Sequence, residues 1–477
     1  MASPAILFAN SSALSVRRFA VWNESQAWTG REGSPEQFYD VDSRTMESIS
    51  LSVVESSVVS EPPYSQGVFE DMKLSSHFQT VFSLAHGRAV GYEALLRAIG
   101  RDGREVPPMA AFGMAERSGH TVLLDRIARV IHARNFAAQP AGESWLFLNV
   151  HPQVIVSGLP LHGPFFGELL ESCHISPHGV VIEVLEAALV EDEPLTESLR
   201  YYRSLGCLIA IDDFGAGHSN LDRIWRLKPD IVKLDRALMS QASADRTARL
   251  MLPRVIAMLH EAGSLVLMEG VENEPQAMIA MDAEADFVQG NFFARPAARL
   301  SATPSGGASF DALHDHFHRL ATLEHQDYQS EVEPYAEALV GVAERLEGGQ
   351  PLAEAAASFL ELPQADRCFV LDRMGHQFGP SALGTRASAT ADPRYAPIAD
   401  DTGANWARRH YFRRALSQPG VHMTRPYLSV ATARLCVTVS TSIRTGAGRF
   451  VLCGDVRWND KMSGDRSFER LPGTLHS

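Results

Sequence analysis

No stretch of the 477-residue sequence carries about 18 apolar residues without Arg, Glu, Asp or Gly breaking it within a few positions, so a helical membrane span is excluded. Cysteine is scarce. Cys173, Cys207, Cys368, Cys436 and Cys453 are odd in number, widely spaced and mostly set in apolar runs, which suits reduced core thiols and excludes a disulfide frame or a Cys/His zinc site. Positive charge is also short: 43 Lys and Arg against 57 Asp and Glu give a net charge of −14. That balance argues against a nucleic-acid polymer or an anionic membrane as partner, and an anionic substrate would need local basic residues or metal ions to reverse the field. Met1-Ala2-Ser3-Pro4 and the short apolar patch after it lack the basic start and apolar core of a secretory leader, so a cytoplasmic location is expected. What is present is an ordinary globular composition, 45% hydrophobic and 21% charged, on a chain long enough for two or three domains.

Residues 1–70 carry Ser-rich, turn-prone stretches such as Ser48 to Ser60 and then Glu61-Pro62-Pro63, which predicts a flexible leader. From His77 to Pro296 short apolar runs alternate with helix-period segments. Gly91–Arg97, Leu146–Val150, Val180–Leu185, Leu208–Asp212, Ile231–Asp235, Leu265–Glu269 and Phe287–Gln289 read as strands, with helices clearest at Val122–Phe136, Pro194–Leu205 and Ala244–Ala262. This alternation predicts an α/β barrel over 71–300. A Ser/Gly-rich boundary at Ser301–Ser309 precedes a helical linker over 301–350, interrupted at Pro334, and residues 351–477 read as a smaller α+β domain.

Polar residues recur at the carboxyl ends of the barrel strands, the rim on which barrel active sites are assembled: Glu93, Asn149, Glu183, Asp212 with Asp213, Lys233 with Asp235, Glu269 with Glu272, and Gln289. In Val180–Leu185 the period of two puts Glu183 on one face with Val181 and Leu185, and in Ile231–Asp235 it puts Lys233 with Asp235. Several carboxylates and an Asn carbonyl on one rim repel one another unless divalent ions bind, and an all-oxygen set suits Mg²⁺ or Mn²⁺. Lys233 alone would also fit a Schiff-base barrel enzyme.

Glu93-Ala94-Leu95-Leu96-Arg97, Leu148-Asn149-Val150, Glu183-Val184-Leu185-Glu186, Asp212-Asp213-Phe214-Gly215, Lys233-Leu234-Asp235, Glu269-Gly270-Val271-Glu272 and Gln289-Gly290 resemble, in order, the motif series of the EAL-domain cyclic-di-GMP phosphodiesterases. The resemblance implies a modified (β/α)8 TIM-like barrel with one antiparallel strand, which opens cyclic-di-GMP to linear pGpG with Mg²⁺ or Mn²⁺. It implies Glu93, Asn149, Glu183, Asp212, Asp213 and Glu269 as metal ligands, with Lys233 and Glu269 catalytic. Gln79, Arg97, Asp235 and Gln289 would then bind substrate, Arg97 through a phosphate. Asp213 to Asn220 matches a loop coupled to homodimer formation, and Glu186 and Glu272 match its anchoring acids. Leu185 stands where the family usually has Thr, Thr80 where Pro is usual, Ala98 where Trp is common, and His218 where Tyr is common. Leu185 is the feature that favours the alternative, a catalytically inactive cyclic-di-GMP receptor or scaffold. The C-terminal segment resembles the PAS-like, Cache-type sensory domains appended to some EAL proteins, with Trp406, Arg409, Tyr427 and Asp455 as a candidate pocket for an unidentified small polar ligand.

Overall fold

The computed structural model describes residues 49–61, 63–156, 165–186, 193–217, 221–304, 309–384 and 401–458. Eight strands close into a barrel: β1 (Met72–Ser83), β2 (Arg88–Ile99), β3 (Trp145–Asn149), β4 (Val180–Leu185), β5 (Leu208–Phe214), β6 (Ile231–Leu234), β7 (Leu265–Met268) and β8 (Phe287–Val288). β2 to β8 run parallel to their neighbours, whereas β1 pairs antiparallel with both β2 and β8. The sequence reading placed seven of these strands; the eighth, β1, is the antiparallel one. The leader expected over 1–70 includes residues that are folded. Residues Leu51–Glu55 form a helix, and the strands Val58–Glu61 and Tyr64–Phe69 extend the sheet beyond β1, because Val54 and Phe69 are buried in the barrel's core. Residues 1–48 lie outside the described part of the chain.

Period-two alternation turns one residue in two toward the barrel axis. Val81, Phe147, Val181, Ala210, Ile231, Leu267 and Phe287 form a separate buried cluster that plugs the interior, with Gly91 at the matching place on β2. Only glycine fits there, since a Cβ on Gly91 would stand 2.5 Å from Cε2 of Phe147. Two positions further along each parallel strand stand Glu93, Asn149, Glu183, Asp212, Lys233, Glu269 and Gln289. On antiparallel β1 the equivalent residue lies two positions before the plug, at Gln79, and Gln79 is opposite Glu93 in register. The apolar plug therefore sets the depth of a polar layer at one mouth of the barrel.

Helices α1 (Thr121–Ala137), α2 (Glu193–Leu205), α3 (Leu221–Leu227), α4 (Arg236–Ala244), α5 (Arg246–Glu261) and α6 (Glu274–Asp282) are among those connecting the strands. The single helix expected over Ala244–Ala262 begins instead at Arg246, where Asp245 accepts a hydrogen bond from the Ala248 amide and caps it.

Beyond the barrel, α7 (Phe310–Glu347) is one continuous helix, so the interruption expected at Pro334 does not occur. Pro334 faces solvent, where the carbonyl it leaves without a helical partner can be hydrated, while Val332 and Tyr335 beside it are buried. The first turns of α7 pack on the barrel: the ring of Phe310 stacks on Phe293 at 5.3 Å, and His314 reaches the Leu84 carbonyl at 2.8 Å. Its last turns, through Val332, Tyr335, Leu339 and Val342, share a core with Phe359, Val437 and Leu452. Those belong to the smaller domain, an antiparallel six-stranded sheet of β9 (Ala365–Leu371), β10 (Ala382–Leu383), β11 (His422–Met423), β12 (Tyr427–Leu428), β13 (Leu435–Thr445) and β14 (Gly448–Arg457), covered in part by α8 (His410–Ser417).

Replacing Gly91 by Ala is expected to lower unfolding stability by about 1–3 kcal/mol in urea titration, because Phe147 has nowhere to retreat. Adding Phe147→Leu to the same chain should recover part of that loss, and an unchanged midpoint for Gly91→Ala alone would show that the plug is slack.

Candidate active site

Lys233 is 1% exposed and its ammonium lies among four carboxylates: 2.7 Å from Glu183, 2.8 Å from Glu269, 3.0 Å from Asp212 and 3.6 Å from Glu93. Burial works to strip its proton, but the four acids outweigh that and raise its pKa well above that of an ordinary lysine. A proton held this firmly is the opposite of what an amine nucleophile needs, which removes the reason to read Lys233 as a Schiff-base residue.

One ammonium does not balance four carboxylates, and the titration of the acids shows it. Burial, then the charges of Glu93 and Asp212, push Glu183 well above the usual carboxylate range. Burial first, with Asp212 and Glu93 adding to it, raises Glu269 to about 8 despite the nearby Lys233. Glu93 goes the other way. Burial opposes its ionisation, but Lys233 and hydrogen bonds from Gln289 at 2.6 Å and Asn149 at 3.0 Å prevail and lower its pKa.

Asp212 and Asp213 are adjacent, so a regular strand would point them to opposite faces. The β5–β6 register shifts between Ile211 and Phe214, and Asp213 takes a left-handed φ of 57°. This bulge re-aims Asp213 toward the rim, a strained conformation of a kind that clusters at functional sites. Two sets of carboxylate oxygens, each within 4.8 Å, result: Glu93, Glu183 and Asp212, and then Asp212, Asp213 and Glu269. Asp212 is common to both. Burial and the charges of Asp212 and Asp235 raise Asp213 to about 6.

The donor set fits hard divalent cations. All donors are oxygens, Asn149 spends its amide nitrogen on Glu93 and keeps its carbonyl oxygen, and Oε2 of Glu183 and Oε1 of Gln289 are buried without a hydrogen-bond partner among the described residues. Such orphaned acceptors are costly unless something positive or donating reaches them.

The remaining expected residues separate. Gln79 joins the cluster: its Oε1 accepts from Gln289 at 3.2 Å, and its amide nitrogen donates to the Ala294 carbonyl at 3.1 Å. Glu186 accepts from the Gly215 amide at 3.5 Å and lies 3.6 Å from Arg223, so it faces the start of the loop after β5. Residues 218–220 of that loop, including His218, lie outside the described part. Asp235, expected to touch substrate, caps α4 by accepting from the Ala237 amide at 2.8 Å. Glu272 is exposed, and its side chain has no hydrogen bond or ion pair among the described residues, which do not include 218–220 of the loop it was expected to anchor. Leu185 is half-buried and opposite Asp212 in register. Arg97 lies outside the acid cluster, on an adjoining cleft of ≈ 670 Å³.

In the smaller domain, Asp455 is fully buried and its carboxylate is already engaged, by Arg367 at 2.8 Å and by the Thr438 hydroxyl at 2.6 Å. That leaves the Tyr427 hydroxyl to donate to Thr438, also at 2.6 Å. Arg367 pairs with Asp401 as well, and Asp401 accepts from Gln377, whose carbonyl takes the Trp406 indole N–H at 3.1 Å. Arg409 lies over the Tyr427 ring, 5.1 Å from its centroid. The hub of this network, Arg367, was not singled out from the sequence. Its signal was an Arg on a seven-residue strand that is buried throughout.

The family model described as "EAL domain" matches residues 65–296. Among curated relatives, the cyclic di-GMP phosphodiesterase RocR of Pseudomonas aeruginosa is 27% identical over 230 residues, covering 47% of this chain and 57% of that protein. The probable cyclic di-GMP phosphodiesterase PdeN of Escherichia coli is 29% identical over 225 residues, covering 46% of this chain and 42% of that one. The chain thus spans roughly half the length of these relatives or less, and only 28% of the signaling protein YkoW of Bacillus subtilis. A solved structure, the Bacillus subtilis YkuI protein with an EAL domain in complex with c-di-GMP and calcium, overlays with a TM-score of 0.67 at 21% identity. It covers 81% of this chain and 96% of that one, so the likeness of fold extends past the barrel. Residues 65–296, with the eight-stranded barrel and its acidic rim, are an EAL domain.

Proposed function

We propose that the barrel hydrolyses cyclic-di-GMP to linear pGpG with Mg²⁺ or Mn²⁺. The observation that carries this is the pair of carboxylate sets sharing Asp212 around a single buried ammonium, a layout that asks for added positive charge on the rim where barrel chemistry is done. Support for the substrate comes from the relatives named for cyclic di-GMP phosphodiesterase activity over this same stretch.

Glu93, Asn149, Glu183 and Asp212 would hold one cation, and Asp212, Asp213 and Glu269 a second. Bound there, such ions would acidify a water and neutralise the phosphodiester. This chain's own residues do the rest. Lys233, rigid at the centre of the rim, orients the attacking water with its ammonium. Glu269, 2.8 Å from the Lys233 ammonium, accepts the proton that water loses as its oxygen bonds to phosphorus. The bond from phosphorus to the 3′-oxygen breaks, that oxygen takes up a proton, and the product keeps a 5′-phosphate. Gln79 and Gln289 fix Glu93 from the side opposite Asn149.

Purified full-length protein with Mn²⁺ or Mg²⁺ should convert cyclic-di-GMP to pGpG by chromatography, and chelation should stop it. Glu93→Ala should reduce turnover at least about 100-fold in a barrel that still folds, with a lower melting temperature because Lys233, Gln289 and Asn149 lose the carboxylate whose charge they favour. Binding of cyclic-di-GMP without any cleavage would instead make the chain a receptor, the reading that Leu185 favours. If the missing hydroxyl beside Glu183 slows the reaction, Leu185→Thr should raise kcat by up to about 10-fold.

Cation binding should also release protons. Glu269 near 8 and Asp213 near 6 carry protons below those values, and a cation must displace them. Apparent Mn²⁺ affinity is therefore expected to rise with pH between 6 and 8. Calorimetry in two buffers of different ionisation enthalpy measures the release, and a pH-independent affinity with no proton release would contradict the assignment of those two acids.

A further inference from the structure

We propose that Phe310, at the start of α7 and outside the matched segment 65–296, is a positioning residue for the acidic rim. By holding the turn that follows β8, it fixes how the Gln79 and Gln289 amides face Glu93. The inference rests on the cation-binding reading above and adds to it a residue that belongs neither to the barrel strands nor to the rim.

Two glutamines make the rim sensitive to one backbone carbonyl. The Gln79 amide nitrogen donates to the Ala294 carbonyl at 3.1 Å, which leaves its Oε1 to face Gln289. Gln289 meets that oxygen with its own nitrogen at 3.2 Å and gives the same nitrogen to Oε2 of Glu93 at 2.6 Å. Its Oε1 is left over, buried and without a hydrogen-bond partner among the described residues. An amide has one accepting end and one donating end, so each orientation dictates the next. With the Ala294 carbonyl out of reach, Gln79 would be free to present its nitrogen to Gln289. Gln289 would then answer with its oxygen, take its donor from Glu93 and offer a cation an N–H group instead of an acceptor.

The turn that carries this carbonyl is held from three sides. On one, the Val271 amide donates to the Gln289 carbonyl at 3.1 Å and the Val271 carbonyl accepts from Phe292 at 3.0 Å. A Cβ on Gly290 would stand 2.1 Å from that Val271 oxygen, so no slack exists there. On the second, Phe78 and Ala297 exchange backbone hydrogen bonds at 2.7 and 3.0 Å. On the third, Phe310 stacks on fully buried Phe293 at 5.3 Å, and both rings lie against Phe82, at 5.6 and 5.7 Å. Phe82 is on β1, three residues from Gln79, so Phe310 touches both of the elements that present the two glutamines.

A buried phenylalanine is most often core and nothing more. Here the neighbouring grips of α7 fall on the same segments: His314 on the Leu84 carbonyl just past β1, and His316 at 2.8 Å from Glu274, five residues after Glu269. The far turns of α7 are built into the core of the smaller domain, so the placement of this one helix reaches the rim through Phe310.

The test measures Mn²⁺ binding to the full chain by the paramagnetic resonance of the free ion, alongside turnover of cyclic-di-GMP. Phe310→Ala should weaken Mn²⁺ binding about 10-fold, and saturating Mn²⁺ should return kcat to within about twofold of wild type. Gln79→Ala should weaken binding similarly, and adding Phe310→Ala to it should cost less than about twofold more, because both changes break one relay. Phe166→Ala, which truncates a buried ring packed on Tyr202 of α2, should lower the melting temperature and leave Mn²⁺ affinity alone. If Phe310→Ala does not fold, Phe310→Leu, which refills most of the space without the stack, carries the same expectation. An affinity within about twofold of wild type in the folded Phe310 variant, additive losses in the double variant, or an equal loss in Phe166→Ala would each overturn the positioning role. A wild type that binds no Mn²⁺ would overturn the function proposed above, and the role of Phe310 with it.

Discussion

Everything at the mouth of the barrel depends on one ammonium buried among four carboxylates. Lys233 keeps its proton only because Asp212, Glu183, Glu269 and Glu93 surround it, and those acids approach one another only because Lys233 is there. The arrangement is unbalanced, and the excess appears as raised carboxyl pKa values and as orphaned oxygens on Glu183 and Gln289. A structure that needed only stability would do better with apolar residues here. Part of the acidic surplus of the whole chain, which at first argues against an anionic substrate, sits at the rim in the form that can bind cations and reverse the local field.

The positions of these groups follow from the layer beneath them. Each rim residue stands two places along its strand from a plug residue, and Phe147 fills the space that Gly91 leaves empty. The apolar plug and the polar rim are one register seen at two depths, so the packing of the core is also the alignment of the site.

That register explains what could be read from the sequence. Seven strands ended in polar residues, and the period of two already put Glu183 on one face with Val181 and Leu185, and Lys233 on one face with Asp235. Other features were hidden for physical reasons. β1 alternates buried and partly buried residues, carries its site residue before the plug rather than after it, and so shows no acid at a carboxyl end. The shared orientation of Asp212 and Asp213 depends on a bulge and a positive φ at a non-glycine residue, which no pattern of residue types announces. Pro334 reads as a helix breaker because propensity is local, while burial of Val332 and Tyr335 on either side is not. That Asp235 also caps a helix and that Glu272 faces solvent are placements that the motifs Lys233-Leu234-Asp235 and Glu269-Gly270-Val271-Glu272 do not announce.

Along α7, Ala321, Thr322, Leu323, His325, Gln326 and Asp327 are all exposed, so among the described residues about two turns of the helix are covered by neither the barrel nor the smaller sheet. The barrel and the smaller domain are thus joined as parts on a shaft, without a shared core at that level. Each residue inserted or deleted in this waist would rotate one part against the other by about 100° and shift it by ~1.5 Å, leaving both interiors undisturbed. Changes in length there are tolerable to folding yet large in geometry, which makes the waist the place where a lineage can re-time or re-aim the smaller domain, or exchange it, without rebuilding the barrel.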